Sequence, residues 1–240
     1  MNAIQTHALT RRFQEKIAVD ALELTIPEGE LFALLGVNGA GKTTTIKLLS
    51  GLLAPTSGEA EIFGVSIRSQ KVKHLLAVSP QETAVAPNLT VRENLELMAG
   101  IADATRKEAK ARAKKMLEEA HLHEISDKRA KTLSGGWQRR LSIAMALISE
   151  PRLLFLDEPT LGLDVLARRE LWREIEALKG KITIVLTTHY MEEAEQLADR
   201  VGIMAAGKLR VCGTPAELLA LSGKTRFEDA FVALAGGAEA

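Results

Sequence analysis

The chain has 240 residues, 46% apolar and 26% charged, with 31 basic and 31 acidic side chains giving a formal net charge of zero. Such a composition fits a soluble globular protein of one large domain and leaves no overall field to draw nucleic acid or an anionic membrane. The lone cysteine, Cys212, excludes an intramolecular disulfide and a cysteine-built metal site, which favours a reducing, cytosolic setting.

The start, MNAIQTHALTRRF, lacks the apolar centre of a signal peptide. No apolar stretch approaches the roughly 18 residues of a membrane span, so membrane work would need spans from another chain. Ala3 to Leu9 and Ala18 to Ile26 alternate loosely and predict two strands. Pro27-Glu28-Gly29 then turns the chain into an apolar run, Leu31 to Leu35. Gly36-Val37-Asn38-Gly39-Ala40-Gly41-Lys42-Thr43-Thr44 follows and fits G-x-x-x-x-G-K-[ST] in full. Glycines let successive N–H groups curl around one anion, and a helix opening near Lys42 adds its positive dipole end. Lys42 supplies a cation for β- and γ-phosphates, and the Thr43 hydroxyl suits Mg²⁺. The pattern predicts a bound nucleoside triphosphate.

The helix from Thr43 is expected to end near Gly51, before a turn at Pro55 to Gly58. Glu59 to Ile67 and Leu75 to Val78 predict further strands, the second leading into Ser79-Pro80-Gln81. From Val91 to about His123 the chain is nearly free of β-branched residues. Its apolar positions (Leu95, Met98, Ala99; Ala109, Ala113, Met116, Leu117, Ala120) fall at helical spacing. Thr90 and Glu93 predict a capping box for the first helix. The second, Thr105 to Leu122, carries six basic residues, which with Glu108, Glu118 and Glu119 interspersed read as a solvated face.

Leu133-Ser134-Gly135-Gly136-Trp137 opens another helix, closing before Pro151, and Arg152 to Leu156 is an apolar run ending in Asp157-Glu158-Pro159. Such a run suits a strand covered on both faces. A helix over Leu166 to Leu178 precedes a second buried strand, Lys181 to Thr188, ending in His189. A helix over Met191 to Asp199, a hairpin around Gly207-Lys208, a helix capped at Thr214 and a short helix over Arg226 to Ala233 complete the prediction, with Gly236 to Ala240 frayed.

Acidic residues at strand ends lie where open α/β sheets place their chemistry. Asp157 fits the carboxylate that orients Mg²⁺. Glu158, pointing the other way if the strand continues, fits the general base on the attacking water. His189 can donate to the γ-phosphate or hold that water, and Gln81 can ligate Mg²⁺ and sense the γ-phosphate.

The succession GVNGAGKTT, SPQ, LSGGW, LLFLDEP, LGLD and TTHYMEEAE resembles the ATP-binding subunit of an ABC transporter over essentially the whole chain. The resemblance implies an α/β fold: a P-loop NTPase core with a mainly parallel sheet, an N-terminal antiparallel β subdomain and an inserted helical subdomain. It implies one ABC ATPase domain, with its core at about 1–80 and 140–223, helical subdomain at about 81–139, and a C-terminal short helix and tail at about 224–240. It makes Gln81 the Q-loop, Ser134-Gly135-Gly136 the signature, Asp164 the D-loop and His189 the switch histidine. Phe13 becomes the aromatic under adenine, where Tyr is usual; Phe keeps the π-face.

Two departures stand out: Trp137 replaces a usual Gln in the signature, and Gly162 stands where many members have Ser. The implied mechanism uses ATP and Mg²⁺. Two copies sandwich two ATPs head to tail, and the cycle drives a separately encoded polytopic membrane permease from the cytoplasmic face of the membrane, with no nucleic acid partner. The wording after Thr187 and the tail Phe227 to Phe231 is most similar to ABC-2-type exporters, a group whose cargoes are drugs, sodium, lipids or polysaccharides. The alternative is a soluble ABC ATPase acting on DNA or ribosomes, disfavoured by the short interval between phosphate loop and signature and by the single cassette.

Overall fold

The computed structural model describes residues 1–236, so the frayed tail predicted for Gly236 to Ala240 lies, beyond Gly236, outside the described residues. Two sheets share the molecule. The first is antiparallel, built from β1 (Asn2–Phe13), β2 (Lys16–Pro27), β4 (Ser57–Ile62) and β5 (Val65–Ser66) in the order β2-β1-β4-β5. The strand expected over Glu59 to Ile67 is thus two strands. Phe63 and Gly64 both take positive φ, 50° and 75°, the backbone of a tight two-residue hairpin turn.

The second sheet contains β3 (Leu31–Leu35), β6 (Leu76–Ser79), β7 (Leu153–Asp157), β8 (Thr183–Thr188), β9 (Arg200–Ala205) and β10 (Lys208–Gly213), in the order β10-β9-β3-β8-β7-β6. All its pairings are parallel except β10 with β9. The fold is therefore the expected α/β P-loop NTPase arrangement, with a mainly parallel sheet and a separate antiparallel one.

The apolar runs become fully buried strands because both faces are covered. Phe32, Leu34, Leu153, Phe155 and Val185 face the antiparallel sheet together with Ile46, Leu48 and Leu49 of α1 (Lys42–Leu49). Their neighbours Leu31, Ala33, Leu35, Leu154, Leu156, Ile184 and Leu186 face the other way. There they meet Leu171, Trp172 and Ile175 of α5 (Val165–Glu176), Ala194 and Leu197 of α6 (Met191–Leu197), Leu218 of α7 (Pro215–Ser222) and Phe227 and Phe231 of α8 (Phe227–Gly236). This is the period-two alternation of a strand, hidden in a sequence that is apolar throughout.

A third cluster belongs to the helical segment: Val91, Leu95 and Ala99 of α2 (Val91–Ile101) pack on Ala109, Ala113, Met116 and Leu117 of α3 (Arg106–Glu119). Both helices start at capping boxes, Thr90 with Glu93 as predicted and Thr105 with Glu108. The helix α4 (Gly135–Leu147) serves two cores: Leu141, Ala144 and Met145 join the helical cluster, whereas Ile143 and Ala146 join the sheet. Among the described residues no helix is long and apolar enough to cross a membrane.

Candidate nucleotide site

Parallel pairing brings three strand ends to one place. Leu35 at the end of β3 lies beside Thr188 of β8, and Thr187 lies beside Asp157 of β7. The glycine loop after β3, the Asp157-Glu158 pair after β7 and His189 after β8 therefore leave the sheet side by side, at its carboxyl edge. Two glycines in the loop are required by their surroundings. A Cβ on Gly36 would stand 2.4 Å from the Met204 carbonyl oxygen. One on Gly41, whose φ is 109°, would stand 2.4 Å from the Ala18 carbonyl oxygen. Gly41 is also the N-cap of α1 and supplies no side chain to its first amides, and the first turn holds no acidic residue. The N–H groups of that turn remain available to an anion.

Lys42 is only 5% exposed, and its Nζ donates to the carbonyl oxygens of Gly36 (2.7 Å) and Val37 (3.3 Å) while lying 3.1 Å from Glu158 Oε1. The Thr43 hydroxyl donates to Asp157 Oδ1 at 3.0 Å, and the Thr187 hydroxyl donates to the same oxygen at 2.6 Å. Glu158 does not continue the strand. It adopts a left-handed φ of 50°, and its N–H donates to the carbonyl and hydroxyl oxygens of Thr187, both at 3.1 Å. Glu158 Oε2 sits 2.7 Å from His189 Nδ1. The adjacent carboxylates thus have separate partners, as alternation predicts, but a backbone turn rather than strand alternation separates them. A non-glycine residue held left-handed costs about 1–3 kcal/mol and is concentrated at functional sites.

Other predicted residues lie around this cluster in different ways. Asn38 and Gly39 are exposed at the loop crest, Ala40 is buried with its carbonyl accepting from the Gly207 N–H, and Thr44 is half-buried in α1. Phe13 ends β1, 44% exposed, with the Arg11 guanidinium 4.5 Å above its ring. Its hairpin partner β2 passes directly under Gly41 at Ala18. Gln81 has an exposed side chain, and its carbonyl is gripped by the Arg139 guanidinium at 2.5 Å.

Ser134 and Gly135 are exposed, and the Ser134 hydroxyl makes no capping bond at the start of α4. Among the described residues, no hydrogen bond or ion pair joins Ser134, Gly135 or Gly136 to Lys42, Thr43, Asp157, Glu158 or His189. Asp164 caps α5, accepting from the amides of Leu166 and Ala167 at 2.9 Å each. Trp137 turns inward: its ring lies under the Arg140 guanidinium at 4.5 Å, and Arg140 pairs with Glu170 and Glu174. A groove of about 1020 Å³ is lined there by α3, α4 and α5, away from the phosphate loop.

Three residues missed in the sequence support the site. Thr187 fixes Asp157. Arg139 holds Gln81. Glu193, fully buried in α6, accepts at 2.9 Å from the Thr160 hydroxyl and the Trp172 indole, leaving Oε2 without a partner. Its place in the first turn of the helix that follows His189 is the available signal. Burial pushes the Glu193 carboxyl above its ordinary value, against the donors that favour its charge, and nearby Glu158 adds to the rise.

A raised folded-state pKa makes a stabilising contribution that is present at acidic pH and lost as pH climbs from the ordinary carboxylate range, near 4.3, toward the folded value. Urea unfolding should therefore show the wild type losing stability relative to Glu193→Gln as pH rises above the ordinary carboxylate range. A pH-independent difference would mean that Glu193 is charged throughout.

Comparison with known proteins gives the same assignment. The family profile described as "ABC transporter" matches residues 19–161. ABC transporter A family member 9 of Arabidopsis thaliana is 45% identical over 220 residues, 90% of this chain but 23% of that protein. Daunorubicin resistance ATP-binding protein DrrA3 of Streptomyces coeruleorubidus is 40% identical over 229 residues, 94% of this chain and 72% of that protein. The chain thus spans about a quarter of the length of the plant relative and most of the bacterial one. The solved ATP-binding subunit of an ABC transporter superposes with a TM-score of 0.85 at 28% identity, covering 97% of this chain and 99% of that one. A dimeric ATP-binding cassette, solved in a post-hydrolysis state with ADP and Pi, gives 0.78 at 25% identity over 88% of this chain and 98% of that one. With the strand-end cluster and the sheet order already in place, these likenesses close the question of family: the chain belongs to the ABC transporters and is one of their nucleotide-binding ATPase domains.

Proposed function

We propose that this domain hydrolyses ATP between two copies of itself and powers a membrane exporter. The observation carrying this reading is that one chain gathers Lys42, Thr43, Asp157, Glu158 and His189, yet leaves Ser134 and Gly135 exposed at the start of α4, with no capping bond from the Ser134 hydroxyl. Such a helix start is a ready anion site, and in a head-to-tail dimer it would face the γ-phosphate on the other copy. The dimeric relative solved with ADP and Pi supports pairing of two copies.

On ATP binding, Lys42 exchanges its loop carbonyls for the β- and γ-phosphates, joined by the amides from Asn38 to Thr44. Thr43 and Asp157, already 3.0 Å apart, suit Mg²⁺, a hard cation that takes few protein oxygens, with Gln81 as a further oxygen ligand. When bound, the metal would neutralise charge developing on the phosphates. Glu158 takes a proton as the water oxygen bonds to the γ-phosphorus and the bond to the ADP oxygen breaks. His189, on Glu158 Oε2, holds the carboxylate in place and can donate to the γ-phosphate. Phe13 offers adenine a π-face, and Asp164 joins the dimer contact near the second nucleotide.

The proposed domain has its core at about 1–80 and 140–223 and its helical part at about 81–139, with α4 as a shared wall. A separately encoded polytopic permease would hold it on the cytoplasmic face of the membrane. The drug-resistance relative favours an exporter. Purification of the tagged protein from its native membranes tests this: a polytopic membrane protein should be recovered with it. Recovery only with ribosomes or DNA would overturn the exporter reading.

A further inference from the structure

Arg139 is 5% exposed, yet it belongs to α4, the helix that begins at Ser134. It donates through Nη1 to the Pro80 carbonyl at 2.7 Å and through Nη2 to the Gln81 carbonyl at 2.5 Å. These carbonyls follow β6, where ladder pairing has stopped at Ser79, so no neighbouring strand supplies their donors. A planar fork can serve two successive carbonyls at once, which an ammonium cannot do with fixed geometry. One turn along the same helix, the Ser142 and Ser79 hydroxyls meet at 3.0 Å. The end of β6 is therefore fastened to α4 at two levels. Burial lowers the Arg139 pKa from its ordinary value, with the Asp157 charge opposing, so this cation is kept inside at a cost.

We propose that Arg139 is a positioning residue that couples the two nucleotide sites of a dimer, because it locks the segment carrying Gln81 to the helix that carries Ser134. The proposal rests on the head-to-tail reading above. Gln81 meets the nucleotide on its own chain, and Ser134 meets the one on the partner copy. Ser134 lies only about 7.5 Å up the helix axis from Arg139. A shift of Gln81 on ATP binding is thus delivered to the helix start at the other site. Reciprocally, closure around the partner's nucleotide presses back on Gln81. A rigid strut of this kind makes binding at one site favour binding at the other, with a typical coupling of about 5–150-fold.

The test compares wild type, Arg139→Gln and Arg139→Lys in the full chain, with Glu158→Gln as a dimerisation control. Steady-state ATPase against ATP concentration should give a Hill coefficient approaching 2 for the wild type, the limit set by two sites. Arg139→Gln, which cannot bridge both carbonyls, should fall toward 1. Its affinity for a fluorescent ATP analogue, measured at protein concentrations where the chain is monomeric, should stay within about threefold of wild type. Arg139→Lys keeps the charge without the fork and should lie between. It carries the test if thermal melting shows that Arg139→Gln fails to fold.

Wild-type cooperativity retained in the folded variants would overturn the coupling role, as would loss of single-site affinity in parallel with activity. If Glu158→Gln does not dimerise with ATP, the sandwich itself fails and the coupling fails with it. If it does dimerise and cooperativity is unchanged in the Arg139 variants, only the coupling fails.

Discussion

Glu158→Gln should lower ATP turnover by about 10²–10⁴-fold, the usual contribution of a positioned general base, with nucleotide affinity nearly unchanged. The substitution keeps the shape of the side chain. The amide oxygen can still accept from Lys42, 3.1 Å away, and the amide nitrogen can face His189 Nδ1, which lies 2.7 Å from Glu158 Oε2. Proton acceptance from water is removed, together with the carboxylate charge beside Lys42. The left-handed turn that aims the side chain is fixed by the Glu158 N–H on Thr187, so it should persist in the variant. Single-turnover phosphate release beside a fluorescence titration of nucleotide binding separates the two quantities. Turnover within tenfold of wild type would move the base role away from Glu158.

Lys42→Ala should have the second large effect, and it should appear in two measurements. Hydrogen bonds from a charged donor contribute about 1.5–3 kcal/mol, so ATP affinity should fall by about 10- to 150-fold. The fold should also suffer, because the Lys42 and Glu158 side chains are 5% and 7% exposed, and removing one partner of a buried pair costs up to about 3–5 kcal/mol. His189 remains beside Glu158 and moderates that loss. Adding Glu158→Gln to Lys42→Ala should then recover stability in a thermal melt, since a buried neutral amide replaces a buried carboxylate without its cation. A double variant no more stable than Lys42→Ala would show that the Glu158 carboxylate left without Lys42 costs the resting fold nothing.

Local chemistry made much of this legible. The glycine loop declares itself because its glycines, Lys42 and Thr43 are contiguous, and the backbone conformation they need is a property of the segment itself. The Thr90–Glu93 capping box is likewise local. Apolar runs located β3, β7 and β8, and their shared carboxyl edge followed from parallel pairing.

What escaped was long-range. Arg139 binds a carbonyl 58 residues away, Trp172 donates to Glu193 across 21 residues and Thr187 holds Asp157 across 30. A charged side chain at a buried helix position cannot be told from a solvated one until its partner is known. The same limit hid the orientation of Trp137. In the sequence it reads as a bulky intrusion into the signature; in the fold it packs under Arg140 with the helical cluster, leaving the exposed helix start to Ser134 and Gly135. The hairpin break at Phe63 needed a left-handed residue beside Gly64, which an alternating pattern does not announce.

The head-to-tail site is the claim on which the rest depends, and the mass of Glu158→Gln in solution tests it most directly. Sedimentation with saturating ATP and Mg²⁺ should give a dimer holding two nucleotides, reverting to monomer when ADP replaces ATP or when Ser134 is also replaced by a bulky residue. A chain that binds ATP at Lys42 and stays monomeric under those conditions would contradict the account.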